Sequence, residues 1–217
     1  MTGVRDARWK VLSELDVERS LFDTLDTTIN QQGCEINSSL MSKLLLVDQP
    51  VGRYYVKIYA ARGRGLRRYL GRSRIRAEWE NLQKFLDLKI PTARIVAYGE
   101  LGKGSQYRGA LVLAEVTGTK DLESVARDAP AIFTRSIWRR LVIRRLADAV
   151  RSMHLAGFVH TDLKWRNILV EMTDDPKVFL IDCPQGRLMF GPFLRRGMIK
   201  DLACLDKVAK RVLSKTQ

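Results

Sequence analysis

The segment from His160 to Asp182 constrains this chain more than any other. His160-Thr161-Asp162-Leu163-Lys164-Trp165-Arg166-Asn167 leads into the apolar run Ile168-Leu169-Val170-Glu171-Met172. The turn Thr173-Asp174-Asp175-Pro176-Lys177 then separates it from a second run, Val178-Phe179-Leu180-Ile181-Asp182. Two short apolar runs around a turn rich in Asp and Pro predict an antiparallel hairpin. Asn167 stands just before the first strand and Asp182 just after the second, so pairing makes them neighbours at the open end. A carboxamide and a carboxylate so placed suit Mg²⁺, which takes a few protein oxygens and fills its shell with phosphate oxygens. Asp162, on the preceding loop and not needed as a ligand, is positioned to accept a proton from a hydroxyl.

The remainder of the chain supplies a frame for that segment. Residues 1–29 are weakly patterned and carry no assigned role. Leu44-Leu45-Leu46-Val47, a turn, and Arg53 to Ala60 predict a second hairpin. In its second strand Tyr54, Val56 and Ile58 face one side and Tyr55, Lys57 and Tyr59 the other. A helix is expected from about Arg74 to Leu88, with Ile75, Trp79, Leu82 and Leu86 as its apolar stripe and Pro91 beyond its end. Ala93 to Glu100 and Gly109 to Val116 read as strands. A long helix from Ser136 to Ala156 buries Trp138, Leu141, Val142, Leu146, Val150 and Met153, and Gly157 caps it. A basic, mostly helical tail follows Asp182. Strands early and helices late indicate an α+β chain with a small sheet lobe and a helical lobe.

Lys plus Arg number 38 against 24 Asp plus Glu, a net charge of +14. The surplus is clustered at Arg62, Arg64, Arg67, Arg68, Arg72, Arg74 and Arg76, at Arg139, Arg140, Arg144 and Arg145, and at Arg195, Arg196 and Lys200. Such patches attract phosphate-rich partners, whether nucleic acid, lipid headgroups or phosphorylated sugars. Hydrophobic residues at 46% are enough for a packed core and exclude a disordered chain. No apolar run reaches the roughly 20 residues that span a bilayer, and no apolar segment follows the charged N-terminus as a secretion signal requires. Cys34, Cys183 and Cys204 lack metal-ligand spacing and read as reduced thiols of a cytoplasmic protein.

The spacing His160-x-Asp162-x-x-x-x-Asn167 resembles the catalytic loop of the protein-kinase-like phosphotransferases. Asp182-Cys183-Pro184 stands where those proteins carry their metal-binding Asp-Phe-Gly. Lys57, within Val56-Lys57-Ile58, matches the strand lysine that holds the nucleotide phosphates. The resemblance requires a glutamate partner on the next helix. Glu78 shares a helical row with Leu82 and Phe85, and Glu80 shares one with Lys84 and Asp87, so Glu78 is the choice. Within that set the chain is similar to the lipopolysaccharide core kinases, which phosphorylate heptose or Kdo. The stretches carrying this likeness are RAEWENLQKF, IPTARIVAYGE, HTDLKWRNILVE, LIDCPQGR and IKDLACLD, and it extends over roughly residues 30 to 213.

The resemblance implies a two-lobed protein-kinase-like fold, with an antiparallel-sheet N-lobe at 30–114 and a reduced helical C-lobe at 115–217. It implies ATP and Mg²⁺ as cofactors, Lys57 and Glu78 at the phosphates, and the Ala114-Glu115-Val116 backbone at adenine. Asn167 and Asp182 would hold the metal, Asp162 would be the catalytic base, and Lys164 would hold the transferring phosphate or lie on the surface. The acceptor would be the lipopolysaccharide inner core, met on an anionic membrane surface at the inner face of the bacterial inner membrane. His160 and His154 are expected to be structural, Trp165 to pack, and Asp201 either to cap a helix or to steady the catalytic loop.

Departures from the pattern bear on substrate. No Gly-x-Gly-x-x-Gly precedes Lys57, and Asn37-Ser38-Ser39 is the candidate phosphate-covering turn. Thr161 replaces the arginine that reads activation-loop phosphorylation, and nothing resembles Ala-Pro-Glu. Only 35 residues follow Asp182, which favours a glycolipid acceptor over a protein. An atypical protein Ser/Thr kinase and a basic nucleic-acid-binding protein stand as alternatives.

Overall fold

The computed structural model describes residues 9–61, 72–102 and 106–213. The arginines from Arg62 to Arg68 therefore lie outside the described residues, whereas Arg72, Arg74 and Arg76 are exposed. The chain divides into two compact units, Met1–Trp79 with Ala93–Val116, and Glu80–Thr92 with Thr117–Gln217.

The first unit is a six-stranded antiparallel sheet with helices. In chain order it contains β1 (Lys10–Val11), α1 (Asp16–Leu21), α2 (Leu25–Ile29), β2 (Cys34–Ser38), β3 (Ser42–Gln49), β4 (Gly52–Tyr59), the start of α3 (Arg74–Asp87), β5 (Ile95–Leu101) and β6 (Arg108–Ala114). The strands lie in the order β1-β5-β6-β4-β3-β2. The hairpin β3–β4 is as its alternation predicts, with Leu45 opposite Val56 and Leu44 opposite Lys57. Strand period two then sorts the side chains onto two faces. On one face Leu45, Val47, Tyr54, Val56, Val96, Ala97 and Val112 pack with Phe22 from the end of α1 into a closed cluster.

The other face receives the start of α3. Trp79 stacks on Tyr98 with ring centroids 4.6 Å apart. Ser73, just ahead of α3, accepts the N–H of Arg76 and donates to the buried carboxylate of Glu100. Tyr107 donates to the same carboxylate at 2.8 Å. The helix matches the expected span, but its stripe is corrected. Leu86 is exposed and Phe85 is buried, so the inward row runs Ile75, Glu78, Leu82, Phe85. The expected stripe takes an apolar residue at every inward position, whereas Glu78 occupies one because a lysine faces it.

The second unit contains the rest of α3, then β7 (Thr119–Asp121), α4 (Leu122–Asp128), a 3₁₀ turn (Pro130–Thr134), α5 (Ser136–Leu155), β8 (Phe158–Val159), a 3₁₀ turn (Trp165–Asn167), β9 (Ile168–Glu171), β10 (Val178–Leu180), β11 (Arg187–Leu188) and α6 (Gly191–Val212). Trp138, Val142, Val150 and Met153 of α5 are buried as their spacing predicts, and Leu141 and Leu146 are partly covered. Gly157 ends that helix at φ 71°, the left-handed conformation in which glycine avoids a Cβ clash. β9 and β10 pair antiparallel with Ile168 opposite Leu180. Leu180 is fixed on its outer side by Pro91 and Thr92, whose carbonyl and hydroxyl bond its N–H and carbonyl at 2.9 and 2.7 Å.

Candidate active site

The first unit contributes a buried ion pair. Lys57 extends from β4 on the α3 side, and its Nζ lies 2.5 Å from Oε1 of Glu78. Glu78 is wholly inaccessible, and its second oxygen accepts the hydroxyl of Tyr59 at 2.8 Å. A carboxylate can be buried when both oxygens are satisfied in this way. The same surroundings push the Tyr59 phenol well above its ordinary range, first through burial and then through the charge of Glu78. Glu78 is thus the glutamate whose carboxylate pairs with Lys57. At the end of β6, the N–H of Glu115 donates to the carbonyl of Arg53, and the Arg53 guanidinium pairs with the Glu115 carboxylate at 2.7 Å. That arrangement fixes the backbone from Ala114 to Val116 without using the carbonyl of Glu115.

The second unit contributes the loop and the hairpin. Asn167 is buried, and its amide nitrogen donates to the carbonyl of Asp162 at 2.9 Å, with the Asp162 carboxylate 3.5 Å away. Lys164 Nζ approaches the other carboxylate oxygen of Asp162 to 2.6 Å. Across the hairpin mouth the N–H of Ile181 donates to the carbonyl of Asn167 at 3.0 Å. This bond places Ile181 opposite Asn167, with Asp182 the next residue along the chain. Asp182 has φ 55°, a left-handed conformation that non-glycine residues adopt only when held.

The loop is anchored from α6. Asp201 is wholly buried in the interior of that helix, so capping is ruled out for it. Its two oxygens accept the backbone N–H groups of His160 and Thr161 at 2.9 and 2.8 Å. His154 Nε2 lies 3.1 Å from the first of these oxygens. Thr161 itself sits at φ 67°, so the carboxylate holds a strained turn directly ahead of Asp162. His160 is buried against Phe85, ring centroids 6.0 Å apart. Burial pushes its pKa below the usual imidazole range, with the charge of Asp201 and the carbonyl of Ile181 opposing more weakly. Trp165 is buried and donates its indole N–H to the carbonyl of Leu205, so it packs.

One residue escaped sequence reasoning. Asn81 on α3 is buried, and its side-chain amide donates to the carbonyls of Cys183 at 2.6 Å and Gly186 at 2.8 Å. The available signal was a polar residue on the inward side of α3, three positions after Glu78.

A lysine–glutamate pair between a strand and the following helix, with an Asp…Asn loop and an Asp-terminated hairpin, is the feature set of a protein-kinase-like fold. Residues 35–217 match the lipopolysaccharide kinase (Kdo/WaaP) family, and the chain belongs to it. Among its relatives is the lipopolysaccharide core heptose(I) kinase WaaP of Escherichia coli K12, 28% identical over 58% of this chain and 49% of that enzyme. Two others are 3-deoxy-D-manno-octulosonic acid kinases. That of Vibrio cholerae is 27% identical over 58% of this chain and 49% of its own length. That of Xanthomonas oryzae pv. oryzae PXO99A is 30% identical over 65% of this chain and 56% of its own length. The chain thus spans about half the length of the curated relatives it matches. A solved structure of WaaP in complex with acyl carrier protein has the same fold, with a TM-score of 0.75 at 22% identity over 95% of this chain and 84% of that one.

Proposed function

We propose that this protein transfers the γ-phosphoryl group of ATP to a hydroxyl of heptose or Kdo in the lipopolysaccharide inner core. The observation that carries the reading is the loop from His160 to Asn167, in which Asn167 bonds the main-chain carbonyl of Asp162 and Lys164 pairs with its partly exposed carboxylate. Asp162 accepts the proton of the sugar hydroxyl as its oxygen bonds to the γ-phosphorus and the bond to the ADP oxygen breaks. Lys164 balances charge on the transferring group, while Lys57, held by Glu78, grips the phosphates of the nucleotide. The backbone from Ala114 to Val116 meets the adenine.

The donor set fits Mg²⁺. Among the described residues no three His, Cys, Asp or Glu side chains cluster as a self-sufficient metal site. The Asn167 nitrogen is committed to Asp162, so what Asn167 and Asp182 would offer a cation is a carboxamide oxygen and a carboxylate, both hard oxygen donors. Such a pair suits an ion that completes its shell with phosphate oxygens. Bound there, Mg²⁺ would neutralise charge on the phosphates.

The acceptor is a glycolipid, and the surface around the start of α6 supports a peripheral position on an anionic membrane at the cytoplasmic face. Phe190 and Phe193 are each 76% exposed, and Arg187, Arg195, Arg196 and Lys200 around them are exposed as well. No described helix is long and apolar enough to cross a membrane.

The test is transfer of labelled γ-phosphate from Mg²⁺-ATP to unphosphorylated inner core, with Asp162→Ala in parallel. Label on the core with wild type, reduced at least about 100-fold in the variant, supports the reading. Label on a protein acceptor in place of the core, or full activity of Asp162→Ala, refutes it.

A further inference from the structure

We infer that Asn81 is the residue that positions Asp182, locking the metal-binding loop into one conformation; this rests on the phosphotransferase reading above. The loop after β10 turns sharply. Asp182 lies in the left-handed region at φ 55°, Cys183 is wholly buried with its Sγ 3.8 Å from the carbonyl of His160, and the N–H of Gly186 closes back on the Cys183 carbonyl. A left-handed aspartate persists only where its neighbours determine it. On its N-terminal side the determinant is the bond from Ile181 to Asn167. On its C-terminal side it is Asn81, whose amide reaches the carbonyls of Cys183 and Gly186.

The turn has little room to move. A Cβ on Gly186 would collide with the Cys183 sulfur and fall 2.6 Å from the ring of Phe158, so the backbone is pressed close against both. Asn81 is nearly inaccessible. A side chain without donors there would remove two bonds from a place that water does not reach, which costs far more than the same loss at the surface. The residue after Asp182 is a small buried cysteine under an amide clamp, with no bulky side chain to swing in and out. The clamp therefore favours one fixed arrangement.

The experiment measures Mn²⁺ affinity of the ADP-bound protein by electron paramagnetic resonance, alongside steady-state kinetics in Mg²⁺. The variants are Asn81→Ala, the isosteric Asn81→Asp, Asp182→Ala, and Val142→Ala on α5 as a control for general destabilisation. Asn81→Ala and Asn81→Asp are expected to weaken Mn²⁺ about tenfold or more. Both should lower kcat at ordinary Mg²⁺, with much of the loss recovered at high Mg²⁺. Val142→Ala should lower the melting temperature yet bind Mn²⁺ as wild type does. Asp182→Ala should bind poorly and stay inactive at any Mg²⁺ concentration. Wild-type Mn²⁺ affinity in either folded Asn81 variant, or an equal weakening in Val142→Ala, overturns the inference alone. Full activity of Asp182→Ala, or no nucleotide-dependent Mn²⁺ binding by wild type, overturns the underlying reading with it.

Discussion

Glu18 shows how much a single buried group can carry. Its carboxylate accepts Arg94 on both oxygens, Tyr54 on one at 2.8 Å and Ser13 on the other. The Arg94 bonds are the largest cause of a pKa lowered from 4.5 to about 2, and burial opposes them. The folded state therefore binds this proton less readily than the unfolded chain, and the resulting stability is complete above pH 4.5. It is lost as pH falls from there toward 2. That displacement corresponds to at most about 3 kcal/mol, trimmed by solvent around the half-exposed Arg94. Acid titration followed by circular dichroism should show Glu18→Gln already lowered at neutral pH and flatter than wild type between pH 5 and about 2. A parallel acid dependence in the two proteins would dismiss this role. His160 acts in the same direction in the other unit: its depressed pKa makes stability decline once pH falls below 6.5, where the unfolded chain takes the proton and the fold does not.

At the scale of elements, legibility followed periodicity. β3, β4 and α5 alternate or repeat cleanly, and each lies where its pattern puts it. Asn167 and Asp182 were readable because a hairpin has a fixed end, so two sequence positions define one point in space. The first helices were not readable. α1 and α2 are six and five residues long, too short for a period to emerge, and α1 is held by the buried Glu18 together with Leu21 and Phe22 at its end. Asn81 was opaque, and Asp201 was readable only as a cap or a support of the loop, for a related reason: each bonds backbone groups far along the chain, and backbone carries no signature in sequence. Asp201 yields an element-scale prediction. Asp201→Asn replaces one oxygen by an N–H facing a backbone N–H, and should cost about 2–3 kcal/mol in chemical unfolding while lowering kcat at least tenfold. Unchanged stability would mean that the strained turn at Thr161 holds itself.

Over the whole molecule the governing property is charge. A net +14 favours anionic surfaces at a distance, and in the proposed membrane-peripheral position the exposed Phe190 and Phe193 would supply apolar insertion once contact is made. Sedimentation with vesicles containing phosphatidylglycerol should show binding that weakens as salt screens the basic residues. Phe190→Ala with Phe193→Ala should remove the salt-resistant fraction and spare the salt-sensitive one. Binding equal to neutral vesicles would exclude an electrostatic approach. Access to sulfur is graded in the same molecule, with Cys34 open on the edge strand β2, Cys204 partly covered, and Cys183 sealed beneath the loop that carries Asp182. Alkylation is accordingly a clock for breathing of the segment around Asp182, because a reagent too large to enter the fold meets the Cys183 thiol only in the moments when that segment has let go.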